Sequence, residues 1–324
     1  MVISGIVVST LYFGSSFLGV LLIAAAMGTL RPVGHPAGTK AIMDWVPGRR
    51  RGTAMSVKQA GNPIMGALAA GLIPPIAMAF GWRIAAVAMG GFIIIGGFLI
   101  LALYRDRRIV AGNQASQVTL FAGLGKVVRN RDISFAIAFG FPLVGAQVAA
   151  LTYFILFLKD DLGVSLVIGG GLLAVLQVSS VVMRIGWGVI SDTIGKGRRK
   201  PVLLASGLGT AAVFLMMAIL PNSTPIWGLV GAAVLLGATA TSWVSVHSVM
   251  LAELADSSEV ATAVGYASMV QRSAIVVTPP FFGFLADNWG YQVAWFSLAI
   301  AILLGMIFLA PVRERNVIGR GIET

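Results

Sequence analysis

Nine stretches of this chain, near residues 17–44, 52–79, 82–104, 133–158, 165–191, 201–220, 226–254, 259–285 and 290–311, are apolar enough and long enough to cross a bilayer as helices. A span needs roughly 20 apolar residues, because hydrocarbon offers no water to satisfy backbone groups and a helix satisfies them internally. Charged residues make up only 11% of the 324, against 57% hydrophobic, where soluble domains carry about 25% charged. The chain therefore reads as an all-α polytopic membrane protein. A tenth apolar stretch, residues 1–13, is too short to cross alone. It lacks the charged start and small-residue cleavage site of a signal peptide, so it reads as the distal part of a helix that begins upstream.

The cations set the orientation. Arg49, Arg50 and Arg51, the run from Arg105 to Arg131, the cluster Lys196, Arg198, Arg199 and Lys200, and Arg313, Arg315 and Arg320 all fall on one side of the proposed spans. Only Arg83 and Lys159 fall on the other. The basic side is expected to be cytoplasmic, and about 10 spans then return both termini to it. The net charge of +11 lies in short loops between apolar runs, which points to the anionic leaflet of the bilayer as its partner and not to nucleic acid. Cysteine is absent and glycines number 40; the first excludes a disulfide framework, and the second fits close helix packing in lipid.

The longest polar stretch, 105–132, reads as a cytoplasmic linker between an N-terminal bundle of four helices, 1–104, and a C-terminal bundle of six, 133–324, with a short basic tail. An ungapped shift of 209 residues lays Asp44 on Glu253, Thr53 on Thr262, Ala54 on Ala263, Gly81 on Gly290 and Trp82 on Tyr291. The two halves are thus expected to repeat one architecture, as in many transporters.

Between two of the spans lies Gly186 to Pro201, a turn too short and too basic to sit in lipid. Gly188, Asp192, Gly195, Arg198, Arg199 and Lys200 in this turn resemble the loop signature of the major facilitator superfamily of transporters, with Thr193 where that family usually has a cation. Residues 30–37 followed by Asp44-Trp45-Val46-Pro47 and Arg51-Gly52 resemble the family's fourth helix and its following turn, and Gly81-Trp82-Arg83 the end of its fifth. The resemblance covers the whole chain. It implies a two-bundle fold whose first bundle lacks two helices and most of a third, and transport by alternating access. It further implies a gate in which Arg198 or Arg199 pairs with Glu253, Asp44 is the first-half counterpart of Glu253, and Asp192 faces the N-terminus of the helix that starts near Glu259.

A cation at mid-bilayer persists where it faces a polar cavity. Arg31 and Arg272 lie at the midpoints of the 17–44 and 259–285 helices, one in each half, and a guanidinium presents a planar donor fork to carboxylate or phosphate. They are the expected anchors of an anionic substrate, and the resemblance also associates Arg31 with proton coupling. His35 follows Arg31 by four residues on the same helix face; it and His247 are the candidate proton carriers. Lys58, Gln59 and Asn62 read as a cavity wall, and Gln147, Gln177 and Trp243 as mid-helix groups that orient a ligand or, for Gln177 and Trp243, bridge helices and fill space. Arg184 lies nearer the basic end, where it either snorkels or serves function. Lys40 and Asp44 are spaced for a local ion pair.

There is no G-x-x-x-x-G-K-[ST] loop, no H-E-x-x-H, no Cys-based metal motif and no G-x-S-x-G elbow, so no enzyme activity, cofactor or metal is expected. The resulting expectation is a monomeric plasma-membrane secondary transporter that moves a small organic anion with proton symport. Efflux of hydrophobic compounds and a truncated, non-transporting membrane protein are the alternatives.

Overall fold

The computed structural model of the chain describes residues 2–14, 16–30, 34–103, 120–221, 223–256 and 259–314. Among them there is no strand. The helices are α1 (Val2–Ser9), α2 (Phe17–Leu30), α3 (Gly34–Trp45), α4 (Arg51–Phe80), α5 (Trp82–Leu103), α6 (Leu120–Arg129), α7 (Arg131–Asp160), α8 (Leu166–Asp192), α9 (Lys200–Ala218), α10 (Ile226–Thr239), α11 (Val244–Leu254) and α12 (Val260–Leu309). Six helical segments among the described residues are long and apolar enough to cross a membrane. The longest, 50 residues, is two helices joined at Gly290, where φ is 85° and ψ is 164°. Helix starts follow local chemistry. The Asn130 side chain accepts from the backbone N–H groups of Asp132 and Ile133 ahead of α7, and that of Ser165 from Ile168 ahead of α8, which satisfies donors that the first turn of a helix leaves open.

The stretch 17–44 holds α2 and α3, with residues 31–33 outside the described residues, and 226–254, expected as a single helix, is two. There, residues 240–243 interrupt the α-helix. The cause is a run of hydroxyls that bond back to carbonyls four residues earlier: Thr239 Oγ1 to Leu235 O at 2.8 Å, Thr241 Oγ1 to Gly237 O at 3.0 Å, and Ser242 Oγ to Ala238 O. Such back-bonding competes with the peptide ladder and bends helices.

The internal repeat extends to the boundaries of the elements. The 209-residue shift carries the start of α2 at Phe17 onto the start of α10 at Ile226, the end of α3 at Trp45 onto the end of α11 at Leu254, and the start of α4 at Arg51 onto the start of α12 at Val260. It also carries Gly81 onto Gly290, whose φ angles are 84° and 85°. The same left-handed joint follows the corresponding helix in each copy.

By contact the chain forms two compact units, Met1–Gly38 with Ile64–Thr119, and Thr39–Pro63 with Leu120–Thr324. Sequence order grouped residues 39–63 with the N-terminal 104, whereas their contacts lie with the larger unit. In the first unit α1 packs on α5 through two glycines: a Cβ on Gly5 would come within 2.7 Å of Gly90 O, and one on Gly90 within 2.7 Å of Gly5 O. In the second unit α7, α9 and α12 close around Trp295, whose ring centroid lies 4.6 Å from that of Phe282, 5.1 Å from that of Phe214 and 5.8 Å from that of Phe157. The segment read as a linker contains helix α6, and Lys126 on it pairs with Glu259 at 3.4 Å, beside the start of α12. Residues 104–119 lie outside the described residues.

The conformation of Gly290 is confined in practice to glycine, so Gly290→Ala is expected to cost about 1 to 3 kcal/mol. Gly231, helical on α10 with open space where a Cβ would stand, is expected to accept Ala with no loss. Unfolding midpoints of the two variants in detergent check this.

Candidate functional site

Three helices of the second unit face one another with polar residues at helical spacing: Gly52, Ser56 and Gln59 on α4, Arg184, Gly188 and Asp192 on α8, and Ser245, Ser248 and Glu253 on or beside the inward face of α11. Glycine makes the approach possible. A Cβ on Gly188 would stand 2.7 Å from Gly52 O, and one on Gly52 would stand 2.7 Å from Asp192 Oδ1.

At the end of these helices nearest the 193–199 turn, the Arg199 guanidinium is 1% exposed and every N–H it owns is used. Nε donates to Glu253 Oε2 at 3.2 Å; Nη1 donates to Ser191 Oγ at 2.8 Å and Asp192 Oδ1 at 2.5 Å; Nη2 donates to Glu253 Oε1 and Gly48 O, both at 3.2 Å. Asp192 in turn accepts from the backbone N–H of Gly52 at 3.1 Å and, through Oδ2, from the backbone N–H and hydroxyl of Thr53 at 2.7 and 2.8 Å. Its carboxylate sits on the positive N-terminus of α4, where a helix favours an anion. This corrects the expectation that Asp192 would face the helix starting near Glu259. The small-residue crossing at Gly188 and Gly52 brings α8 against α4, and the start of α12 faces Lys126 instead.

Burial works to discharge Arg199, and Glu253 first and Asp192 next overcome it, so the guanidinium is held above its ordinary pKa. A group whose pKa is raised by folding contributes fully below its unfolded pKa and loses that contribution only as pH climbs past the folded value. The guanidinium therefore keeps its charge across the physiological range. The turn that presents Arg199 is tight: Gly195 N–H bonds Ile190 O at 2.8 Å, Gly197 N–H bonds Ser191 O at 3.0 Å, and Lys196 and Gly197 have φ of 49° and 76°. Arg198 is exposed. Lys200 Nζ donates to Ala310 O and Val312 O at the end of α12, and Glu314 Oε1 accepts from the N–H groups of Arg199 and Lys200 at the start of α9.

Eight residues earlier along α8, about 12 Å deeper, lies a second polar layer. Arg184 is 5% exposed. Nη1 donates to Gln59 O at 3.2 Å and Nη2 to Thr241 O at 2.5 Å, while Nε is buried without a partner among the described residues. Ser56 Oγ meets Ser245 Oγ at 2.9 Å beside it, and Gln59 Nε2 meets Ser248 Oγ at 3.5 Å. Both carbonyls held by Arg184 have lost their helical donor. Residue 63, which would donate to Gln59 O, is proline, and Thr241 lies in the interruption between α10 and α11. Other carbonyls of that interruption are met by Trp187 Nε1, which donates to Ala238 O at 2.7 Å, and Ser206 Oγ, which donates to Thr239 O at 3.1 Å.

The remaining sequence-derived residues are distributed as follows. Arg31 lies outside the described residues, as do the side chains of His35 and Lys40. Arg272 is exposed on α12, in line with exposed Met269 and Val276. Lys58 is half-buried with Nζ 3.2 Å from Thr39 Oγ1, and Asn62 is exposed with Nδ2 3.4 Å from Gln59 Oε1. Gln147 and Gln177 are half-buried on α7 and α8, and Asp44 is exposed. Trp243 is buried, its N–H donating to Ala240 O at 3.1 Å and its ring edge-on to His247 at 5.2 Å; His247 Nε2 lies 2.9 Å from Ala136 O. Arg184 received only a passing reading from sequence, although Pro63 at the fourth position after Gln59 marks an acceptor in want of a donor.

Removing Arg199 leaves Asp192 and Glu253 buried and unpaired, which costs about 3 to 5 kcal/mol for a broken buried pair. Arg199→Gln is therefore expected to lower the unfolding midpoint more than Arg199→Lys, which keeps the charge with fewer donors. Lys196→Gln, at an exposed position of the same turn, is expected to leave it unchanged.

Comparison with known proteins adds the family. A family model described as the Major Facilitator Superfamily matches residues 1–198 and 187–320. An uncharacterised MFS-type transporter of Mycobacterium tuberculosis, found in two strains, is 26% identical over 294 residues, covering 90% of this chain and 63% of that protein. The chain thus spans less than two thirds of the length of these curated relatives. The hexuronate transporter of Bacillus subtilis is 20% identical over 287 residues, covering 85% of this chain and 68% of that protein. Among solved structures, the E. coli fucose:proton symporter superposes with a TM-score of 0.75 at 16% identity, covering 97% of this chain and 82% of that one. A transporter of the superfamily in its outward conformation gives 0.73 at 18%, covering 97% and 81%. The family match runs nearly end to end, and this multi-pass chain belongs to the Major Facilitator Superfamily, a family of transporters and not of enzymes.

Proposed function

We propose that the chain is a secondary active transporter that moves a small organic anion across the membrane by alternating access, with protons as the coupling ion. The observation that carries this reading is the closure at the basic end: Arg199 holds Glu253, Asp192 and Gly48 together while Asp192 holds the first turn of α4. Such a network is bistable. It is strong when complete and dry, and its members are readily solvated once parted. The basic side is the cytoplasmic one, and both termini lie there. Parting Asp192 from Gly52 and Thr53 frees α4, a helix that starts in one compact unit and from Ile64 onward is counted with the other.

An organic anion is favoured by the guanidiniums within the spans, Arg31 and Arg272, and by the likeness to a hexuronate transporter, since a hexuronate carries a carboxylate. Arg31 and Arg272 remain the proposed anchors, one from each half, with Lys58, Asn62, Gln147 and Trp243 around the path and His35 and His247 as proton carriers. The protein works as a monomer in the plasma membrane.

The test is uptake of radiolabelled glucuronate into liposomes containing the purified chain. Uptake is expected to saturate and to rise with an inward proton gradient. Asp192→Asn is expected to lower the maximal rate about tenfold while moving KM much less, as befits a group that serves closure and not ligand binding. Transport of apolar cations, undiminished in Arg272→Ala and without anion uptake, would reject the anion reading.

A further inference from the structure

Two arginines of the second unit are buried almost equally and compensated very unequally. Arg199, 1% exposed, uses all five N–H groups and faces two carboxylates. Arg184, 5% exposed, uses two of five, both on backbone carbonyls, and makes no ion pair among the described residues. A guanidinium stays charged at every pH a protein meets, so a buried one without a counter-anion keeps its desolvation penalty unpaid. The two carboxylates on the neighbouring helix ends, Asp192 and Glu253, are both turned to Arg199. Nε of Arg184 is buried and has no hydrogen-bond partner among the described residues.

The carbonyls of Gln59 and Thr241 orient the fork without neutralising it. They hold the guanidinium plane between α4, α8 and the break after α10, which leaves Nε–H and the spare Nη hydrogens as an unused donor set. Hydroxyls lie on the facing helices: Ser56 donates to Ser245 at 2.9 Å, Ser245 to the backbone carbonyl of Arg184 at 3.5 Å, and Ser248 accepts from the Gln59 amide while donating to Val244 O. A single positive charge among neutral donors is balanced by one negative charge. A dianion would leave one charge uncompensated in a buried setting, so a monovalent carboxylate fits better than the dianionic form of phosphate.

We infer that Arg184 is a carboxylate-binding residue of this transporter, with Ser56, Ser245 and Ser248 as secondary donors. The inference rests on the organic-anion reading of the chain and names a binding group that the pair Arg31 and Arg272 does not include. The guanidinium becomes accessible when the first three turns of α4 draw away from α8, the motion that also parts Asp192 from Gly52 and Thr53. Carboxylate and Gln59 carbonyl then exchange at one fork.

The experiment is equilibrium binding to the purified full chain in detergent, which needs no transport. A panel of monocarboxylates led by glucuronate is compared with inorganic phosphate and with glucose, by radioligand binding and by shift of the unfolding midpoint. Glucuronate or another monocarboxylate is expected to bind, and phosphate and glucose are not. Arg184→Gln is expected to weaken binding by about tenfold or more and Arg184→Lys by less, because charge is kept and the fork is lost. Lys159→Gln, exposed and remote in sequence from these residues, is expected to bind like the parent. Unchanged affinity in a monodisperse Arg184→Gln overturns the inference, as does competition by phosphate or the absence of any carboxylate binding to the parent chain. If Arg184→Gln does not fold, unchanged affinity in Arg184→Lys overturns it equally. Binding that depends on Arg184 without uptake into liposomes would reject the transport reading alone, and uptake with a KM indifferent to Arg184→Lys would reject this inference alone.

Discussion

One guanidinium closes the basic end of the second unit. Arg199 reaches the end of α8 through Ser191 and Asp192, α11 through Glu253, and the turn before α4 through Gly48. Helices in lipid have no hydrophobic drive toward one another, and close packing and polar contacts hold them instead. A fork with five donors and a fixed plane is suited to this because its bonds are formed or lost as a set. The carboxylates depend on it as much as it depends on them, since any one of the three left alone would be a buried charge without a partner. Glycine at 52 and 188 is what lets the set assemble: a side chain at either position would occupy the space that Asp192 and the backbone of α4 now share.

The deeper layer is built on a different principle. Pro63 and the interruption at 240–243 strip carbonyls of their helical donors, and side chains from α8 and α9 replace them. Irregular backbone at membrane depth survives only where protein or a wet cavity surrounds it, and here arginine, indole and hydroxyl groups supply the missing bonds. Arg184 thus earns its position twice over, as a donor to two defects and as a charge with no anion of its own.

Much of the fold was legible because apolar length and the 209-residue repeat are properties of spacing alone. The all-helical class and the paired glycines 81 and 290 follow from them, and the repeat reappears as matching helix boundaries. The break within 226–254 was not legible that way: an apolar window does not register hydroxyls that turn back on their own helix. The pairing of Arg199 with Glu253 was one of two partners read from the loop signature, and geometry selects it because Arg198 points outward. The target of Asp192 was misread because the repeat makes the starts of α4 and α12 equivalent in sequence, and only the crossing of α8 with α4 distinguishes them. Arg184 was read by its nearness to the helix end, as a cation that either reaches water or serves function. Its surroundings come from helices more than 50 residues away along the chain, and spacing within α8 carries no trace of them.

The joint between α10 and α11 has a mechanical corollary. Because its carbonyls are satisfied by an indole, a hydroxyl and a guanidinium from neighbouring helices, turning α11 like a rod in its socket would work against those three side chains and unwind no turn on either side. The stiffness of that socket is then a matter of side-chain identity at Trp187, Ser206 and Arg184, so selection can retune how easily the rod swings without touching the rod itself.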